Sequence, residues 1–528
     1  MSRSPSNPLV GALMTDMYQL TMAYSYWKSN RHESPAVFEA FFRKGPFHGE
    51  FAIFAGLEEV LNYLNTFSFS PSDITYIRTL FPETVDDAFF DFLAELDLKN
   101  VRVRAVKEGS IVFPRTPLVV VEGPLLACQL LETAILNLTN FATLIATNAK
   151  RMRIAAGASK TLLEFGLRRA QGPDGALSAS KYVSIGGFDG TSNCLAGKMF
   201  DLSVKGTIAH SFICSFDVAD LSEDIFNLNG KPFWSSISKY KEELGFASAS
   251  ESELVAFATY AHALPSNFLA LVDTYDTLQS GVPNFLCVAL ALIDCGYTPL
   301  GIRLDSGDLA YLSIESRKLF NHVAARTGKY LKHLKIAASN DINEAVLLSL
   351  NTEGHDIDTF GIGTNLVTCQ QQPALGMVYK LVELNNTPRI KLSNDASKIT
   401  LPGRKALYRL KSHDGEALCD LILSPSDPPP VCHQKFLCQH PFELQKRCFI
   451  TPTEVESLLD LVFSDGIIAH PTHSLLAIRE RVDATFRTIR SDVKRLLNPA
   501  PYKVSVSFEK YEETNKLWMK QVPMMEFS

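Results

Sequence analysis

The sequence lacks most of the features that mark specialised proteins. It has no surplus of positive charge: 51 Lys and Arg stand against 57 Asp and Glu, a formal charge of −6. A surface that neutralises a nucleic-acid backbone leans the other way, so no nucleic acid is expected as a partner and any anion site must be local. Long hydrophobic runs are absent too. The best, Phe285 to Ile293, lies between Asn284 and Asp294. It fits a buried helix and falls far short of the roughly 20 residues that cross a bilayer, so no membrane is expected. The N-terminal residues carry no long apolar stretch before a cleavage site, and no secretory signal is read there. Ten cysteines are scattered from Cys128 to Cys448 without the spacing of a disulfide framework, which fits a reduced, cytoplasmic (cytosolic) protein. The one local cluster, Cys432, His433, Cys438 and His440, matches no common tetrahedral zinc spacing.

Missing motifs narrow the chemistry. No Gly-x-x-x-x-Gly-Lys-Ser/Thr occurs, so ATP, if used, is not cradled by a P-loop. Neither a Gly-x-Ser-x-Gly elbow nor a His-Glu-x-x-His pair is present. No Gly-x-Gly-x-x-Gly turn follows a strand, which weighs against a doubly wound dinucleotide fold.

What is present is a change of pattern along 528 residues, 46% of them hydrophobic. A helix opens at Asp16 to Ala23. A β region follows at Val101–Val106, Ile111–Phe113 and Leu118–Val121, then a helical run from about Leu125 to Ala156. From residue 161, short apolar runs recur and most end in polar or glycine-rich tips: 162–166, 183–187, 204–210, 269–273, 300–305, 334–338 and 359–363. Helical stretches such as Ile314–Thr327 and Glu344–Leu350 lie between them. Buried strands alternating with helices pair in parallel, and seven such units predict a closed or nearly closed α/β barrel with its polar tips at one rim. After residue 372 the pattern is antiparallel: Met377–Leu384, Arg389–Leu392 and Ala406–Leu410, with a turn at Asn385-Asn386. A stiff linker at Ser424–Pro430 and helices over Ser457–Val462 and Leu475–Leu497 complete the reading.

Four segments could carry chemistry. Arg303-Leu-Asp-Ser-Gly-Asp308 follows an apolar strand. Its Arg can grip a carboxylate or phosphate through two parallel hydrogen bonds, and Asp305 and Asp308 can accept from sugar hydroxyls or hold Mg²⁺ through water. Ser306 and Gly307 let backbone N–H groups approach an anion. Gly361-Ile-Gly363-Thr364 is a second anion cradle at a strand end. Of twelve histidines, His210 alone ends an expected barrel strand behind a glycine and Thr207, where an imidazole can act as base or as nucleophile toward phosphorus. Leu163 to Arg169, with Gly186 to Asn193, offers Arg168 and Arg169 for anions and Phe165 or Phe188 for a flat ring. Each alone fits an ordinary loop or core residue. Their weight comes from meeting at one rim.

Taken in order, these segments resemble the nicotinate phosphoribosyltransferases, type II phosphoribosyltransferases. The resemblance runs from Thr15-Asp-Met-Tyr-Gln19 to the C-terminal helices. It is most specific at Leu163–Arg169, Gly172–Gly175, Gly187–Asp189, Thr191–Asn193, Gly206–His210, Arg303–Asp308, Gly361–Thr364 and Gln371-Gln372-Pro373, and looks like the longer, animal-type branch. It implies an α/β fold: an irregular α/β barrel (146–369) with an open-faced β-sandwich domain (1–145 and 370–423) and a linker with a C-terminal helical segment (424–528). It implies a homodimer with shared active sites, with Tyr18 contacting the pyridine ring, Thr207 and Arg303 the nicotinate, and Thr364 the phosphoribosyl pyrophosphate. His210 matches an autophosphorylated histidine. Asp305, Gly361 and Gly363 fall at the ribose and 5′-phosphate, Arg169 at an anion, and Phe188 is offered beside Tyr18 for the ring. Ser306 and Asp308 are grouped with the phosphoribosyl pyrophosphate. Mg²⁺ (or Mn²⁺) and ATP are the implied cofactor and cosubstrate, with no direct metal ligand assigned. The resemblance implies transfer of a phosphoribosyl group to nicotinate with ATP hydrolysis. Rival readings are another pyridine substrate, a barrel lyase using Lys205 or Lys335, and a non-catalytic phosphate binder.

Overall fold

The structure is a computed structural model that describes residues 7–392, 398–470 and 473–521. It divides into two compact units, residues 149–370 and the remainder.

The 149–370 unit is built on a six-stranded sheet, in spatial order Leu269–Leu271, Gly301–Leu304, Lys335–Ser339, Thr359–Ile362, Thr161–Glu164 and Gly190–Thr191. Every neighbouring pair is parallel. The chain enters at 161–164, steps outward to 190–191, then starts again at the opposite edge and walks back to 359–362. All six strands therefore end on one side. Intervening helices complete the βα repeats, among them Leu309–Thr327, started by Asp308 and stopped at left-handed Gly328, and Glu344–Glu353, capped by Asn343. The run 285–293 lies in the helix Val282–Asp294, buried almost all round. Its Phe285 stacks on Phe268 at 5.2 Å between ring centroids and meets Phe320. Two of the glycines that leave no room for a side chain bear on the site. A Cβ on Gly301, at φ +150°, would sit 1.9 Å from the Lys335 carbonyl oxygen, and one on Gly361 would sit 2.4 Å from the Phe165 ring.

Five of the seven expected barrel runs are strands of this sheet. The run 183–187 is instead the end of the helix Gly172–Ile185, whose Gly172-Pro173 start and small residues favour helix over strand. The run 204–210 is extended but forms only a single parallel bridge, Val204 to Thr191. It leaves the sheet beside Thr191, and its far end, His210, bonds to Thr274 just beyond Leu271 at the other edge. The barrel is thus a curled half-barrel whose gap is crossed by an irregular segment.

The other unit contains a seven-stranded sheet in the order Thr387–Pro388, Met377–Leu384, Pro35–Phe42, Val119–Pro124, Arg102–Ala105, Asp460–Ser464, Ile467–Ile468. It also holds a six-stranded sheet, Arg447–Ile450, Phe436–Gln439, Val504–Val506, Ala417–Leu423, Ala406–Lys411, Glu454–Ser457. All pairs are antiparallel except 417–423 with 504–506. Asn385 and Asn386, both with positive φ, make the expected hairpin turn,. Several expectations fail here. Residues 389–392 are irregular, and 457–462 holds the end of one strand and the start of another rather than a helix. The stretch 424–528 supplies six strands as well as the helices Leu475–Thr488 and Phe508–Gln521. Its Ser424–Pro430 segment joins strands of one sheet and is no linker between domains. Two stretches, Leu125–Ala156 and Thr277–Asp294, are long and apolar enough to cross a membrane by composition, and both are largely packed inside the fold.

Candidate functional site

Because the six strands end on one side, the residues just past each end converge. Together with the 204–210 segment they line a cavity of about 680 Å³. Strand 161–164 delivers Phe165, Arg168 and Arg169. Strand 301–304 delivers Arg303 and Asp305, strand 335–339 delivers Ser339 to Ile342, and strand 359–362 delivers Gly361, Gly363 and Thr364. Gly206, Thr207 and His210 come from the crossing segment.

Arg303 is the hub. Its Nε donates to Ser339 Oγ at 2.8 Å, Nη1 to Thr207 Oγ1 at 3.3 Å, and Nη2 lies 3.1 Å from Asp305 Oδ2. The guanidinium carbon lies 5.6 Å from the centroid of the Phe165 ring. Ser339 Oγ in turn donates to Asp305 Oδ1. A guanidinium carries five N–H donors, and these contacts leave the outer Nη1–Nη2 edge able to take a carboxylate. The absence of a side chain at Gly361 is what leaves room for the Phe165 ring beside that strand.

His210 opens the short helix His210–Cys214 with its side chain 43% exposed. Nδ1 lies 3.1 Å from Thr274 Oγ1. Nε2 lies 3.8 Å from Asp305 Oδ2 and 3.9 Å from Asp273 Oδ1. Asp273 is almost fully buried, accepts from Ser306 Oγ through Oδ2, and has no hydrogen-bond partner for Oδ1. One ring nitrogen is therefore tethered while the other faces the cavity between two carboxylates, an arrangement that fits a nucleophile or proton carrier.

The loop beyond Ser339 is strained: Asn340 and Asp341, neither of them glycine, have φ of +127° and +43°. Such conformations persist where the surroundings hold them and often mark functional positions. Beneath the rim, fully buried Glu164 accepts from Gly166 N, from Ser180 Oγ at 2.9 Å and from Thr191 Oγ1 at 2.5 Å. It ties the ends of two strands together.

Of the residues expected from the sequence, His210, Asp305, Thr207, Arg303, Arg169, Thr364, Gly361 and Gly363 all line this cavity. Three others are placed differently. Phe188 is 1% exposed and is a core residue, and Phe165 is the ring that reaches the cavity. Asp308 caps the helix Leu309–Thr327 by accepting from Tyr311 N at 3.0 Å. Ser306 donates to Asp273, so its hydroxyl is committed to the protein. Tyr18 lies half exposed on the helix Met17–Lys28 of the other unit. Lys335 pairs with Asp358, and Lys205 is exposed at the cavity. Asp273, Thr274, Ser339 and Glu164 are site residues that the sequence motifs do not single out. The strand-tip rule that selected Asp305 would also have found Asp273 and Ser339, which sit at the same point of neighbouring strands.

Comparison with known proteins identifies the family. Two family models match: the nicotinate phosphoribosyltransferase N-terminal domain over residues 13–140 and the C-terminal domain over residues 404–513. A nicotinate phosphoribosyltransferase of Dictyostelium discoideum is 52% identical over 99% of this chain and 90% of its own length. One from Caenorhabditis elegans is 48% identical over 98% of this chain and 95% of its own. The crystal structure of human nicotinic acid phosphoribosyltransferase superposes with a TM-score of 0.86 at 40% identity, covering 95% of this chain and 99% of that one. With relatives this similar along nearly its whole length, the chain belongs to the nicotinate phosphoribosyltransferase family.

Proposed function

We propose that the enzyme forms nicotinate mononucleotide from nicotinic acid and 5-phosphoribosyl 1-pyrophosphate, and that it couples this to ATP through transient phosphorylation of His210. The observation that carries the reading is the 3.8 Å approach of His210 Nε2 to Asp305. It brings a phosphoryl acceptor and the arginine–aspartate grip into one cavity, though they lie 95 residues apart in sequence.

In the transfer step the pyridine nitrogen bonds to C1 of the phosphoribosyl group as the C1–O bond to pyrophosphate breaks. The transition state is oxocarbenium-like, so positioning and electrostatics do the catalysis. The open edge of Arg303 takes the nicotinate carboxylate, Thr207 lies beside it and Phe165 flanks it. Asp305, already oriented by Ser339 and Arg303, fixes the ribose. Gly361, Gly363 and Thr364 receive the 5′-phosphate, and the exposed Arg169 faces the pyrophosphate. For ATP, the tautomer with Nδ1–H donated to Thr274 leaves the Nε2 lone pair free. Nε2 bonds to the γ-phosphorus as the bond to ADP breaks, and water later releases phosphate.

Among the described residues no group of three or more His, Cys, Asp and Glu could hold a metal ion. Mg²⁺ (or Mn²⁺) would enter with the substrate phosphates, with the cavity carboxylate of Asp305 reaching it through water. Bound there, the ion would neutralise charge on the leaving pyrophosphate.

Tyr18 belongs to the same proposal, contacting the pyridine ring across a homodimer with shared sites, in the cytosol. Mixing Tyr18→Ala and His210→Ala chains should then restore part of the activity that each lacks. The central test is incorporation of acid-labile phosphate from γ-labelled ATP. Wild type should label, while His210→Ala should neither label nor hydrolyse ATP, with an unchanged melting temperature. An unlabelled wild type would remove the phosphohistidine. Assaying nicotinate, nicotinamide and quinolinate side by side tests the substrate.

A further inference from the structure

We propose that Glu253, a buried carboxyl group that touches no substrate, is a positioning residue for His210, holding the turn that presents Asp273 and Thr274 to the imidazole. This rests on the reading of His210 as phosphoryl acceptor.

Asp273 and Thr274 follow the edge strand Leu269–Leu271, and the chain then turns sharply. Asp276 accepts from Leu278 N and Gln279 N, and a single π-helical turn, Thr277–Gly281, leads into the buried helix Val282–Asp294. Such π turns concentrate at functional sites because they re-aim the backbone next to them. This one is pressed against the strand end: a Cβ on Gly281 would lie 1.9 Å from the Val272 carbonyl oxygen. Any shift of the turn is therefore passed to Val272 and to Asp273 after it.

The turn is held from behind by one acid. Glu253 is fully buried. Its Oε2 accepts from Ser280 Oγ at 2.5 Å and from Asn284 Nδ2 at 3.0 Å. Ser280 Oγ accepts from Ser250 N, and Asn284 Nδ2 also donates to the Ser250 carbonyl. The network joins three pieces of the chain: the N-terminus of the helix Glu251–Ala263, the π turn and the helix after it. The helix bearing Glu253 also packs on the short helix that begins with His210, and Tyr260 meets Phe212 edge-on at 6.1 Å. The same helix thus supports both sides of the His210–Thr274 hydrogen bond.

The network contains no cation. Glu253 Oε1 and Asn284 Oδ1 are buried without a hydrogen-bond partner. A carboxylate in that setting bears a heavy desolvation penalty. Burial above all, with the Asp273 and Asp276 carboxylates adding to it, raises the affinity of Glu253 for its proton, and the Ser280 and Asn284 donors only partly oppose this. Its carboxyl oxygen serves here only as an acceptor, for Ser280 Oγ and Asn284 Nδ2, and an amide oxygen can do the same, so glutamine should replace it and alanine should not.

The experiment follows the rate of labelling of His210 from γ-labelled ATP, together with kcat and KM for nicotinate. Glu253→Gln should label within about twofold of wild type. Glu253→Ala should label about tenfold more slowly or worse, as expected when a reacting group loses its fixed geometry, with the nicotinate KM within about twofold because Arg303 lies outside the network. Ser280→Ala, which removes one donor and leaves the helix bearing Glu253 intact, should slow labelling in the same direction by a smaller factor, and it decides the matter if Glu253→Ala fails to fold. Labelling of Ser280→Ala and Glu253→Ala at the wild-type rate overturns the proposal, as does equal impairment of Glu253→Gln and Glu253→Ala. A wild-type chain that does not label removes the His210 reading itself, and the proposal with it.

Discussion

Two arginine–aspartate pairs show how one chemistry serves two ends. In the unit that contains both termini, Arg409 closes its fork on a single carboxylate: Nε donates to Asp420 Oδ1 and Nη2 to Oδ2, each at 2.8 Å. Both side chains are at most 2% exposed. The pair is sealed by Phe113 and Tyr502, whose rings stack at 3.5 Å, and Tyr502 donates to Asp420 as well. In the 149–370 unit, Arg303 spreads its donors over three different groups, Ser339, Thr207 and Asp305, and lines the cavity. A closed fork has no vacancy for a ligand carboxylate. A splayed one is held in place yet still has donors to offer.

The comparison breaks most visibly at Asp420. Removing one member of a buried pair leaves the other as an unpaired buried charge, which costs about 3–5 kcal/mol. Asp420→Ala should therefore lower the denaturant midpoint sharply and leave the nicotinate KM of the surviving folded enzyme unchanged. A stability loss no larger than that of Arg303→Ala would mean that the closed fork is not the structural one. Arg303→Ala should do the reverse. Its partners Ser339, Thr207 and Asp305 all reach the cavity wall and can be rehydrated, so the stability loss should be small. The nicotinate KM should rise by about 10- to 100-fold, the worth of a charge-assisted pair of about 1.5–3 kcal/mol. Arg303→Lys should recover little, because an ammonium cannot reproduce the planar edge. Unchanged nicotinate kinetics in Arg303→Ala would move carboxylate recognition to Arg168 or Arg169.

The same contrast explains what the sequence reveals. Arg303, Asp305 and Thr364 are legible because they sit at or just past the end of short apolar runs that are strands, and parallel strands collect such tips on one side; His210 is legible from its place behind Gly206 and Thr207, although its run forms only a single bridge. Local signals mislead where tertiary context overrides them. The apolar run 183–187 looks like a strand but completes a helix begun by Gly172-Pro173, and Ser457–Val462 looks helical but links a strand of the six-stranded sheet to one of the seven-stranded sheet. Phe188 and Asp308 carry plausible chemistry in plausible motifs, yet one is spent on the core and the other on capping a helix. The Arg409–Asp420 pair is invisible in the sequence because its meaning lies in burial, and burial is set by cross-strand pairing between 406–411 and 417–423. Glu253 is hidden for the same reason. A glutamate near a helix start normally reads as a favourable interaction with the helix dipole, and only the fold shows that it is enclosed.

Glu253 also gives the smallest and sharpest version of the comparison, since it is a buried carboxyl with no guanidinium at all. Burial raises its pKa above the ordinary 4.5. The folded chain therefore keeps a proton that the unfolded chain gives up once the pH passes that ordinary value. The stability this group contributes is complete at lower pH. It declines as the pH rises and levels off when the folded form itself ionises. Glutamine is neutral throughout, so the stability of Glu253→Gln should gain steadily on wild type as the pH is raised from 4.5, with the two chains differing least at the acid end. Denaturant midpoints measured side by side across that range would show the gain. Parallel curves would mean that Glu253 is ionised in the fold despite its lack of a cation, and that the donors of Ser280 and Asn284 alone suffice to hold a buried charge.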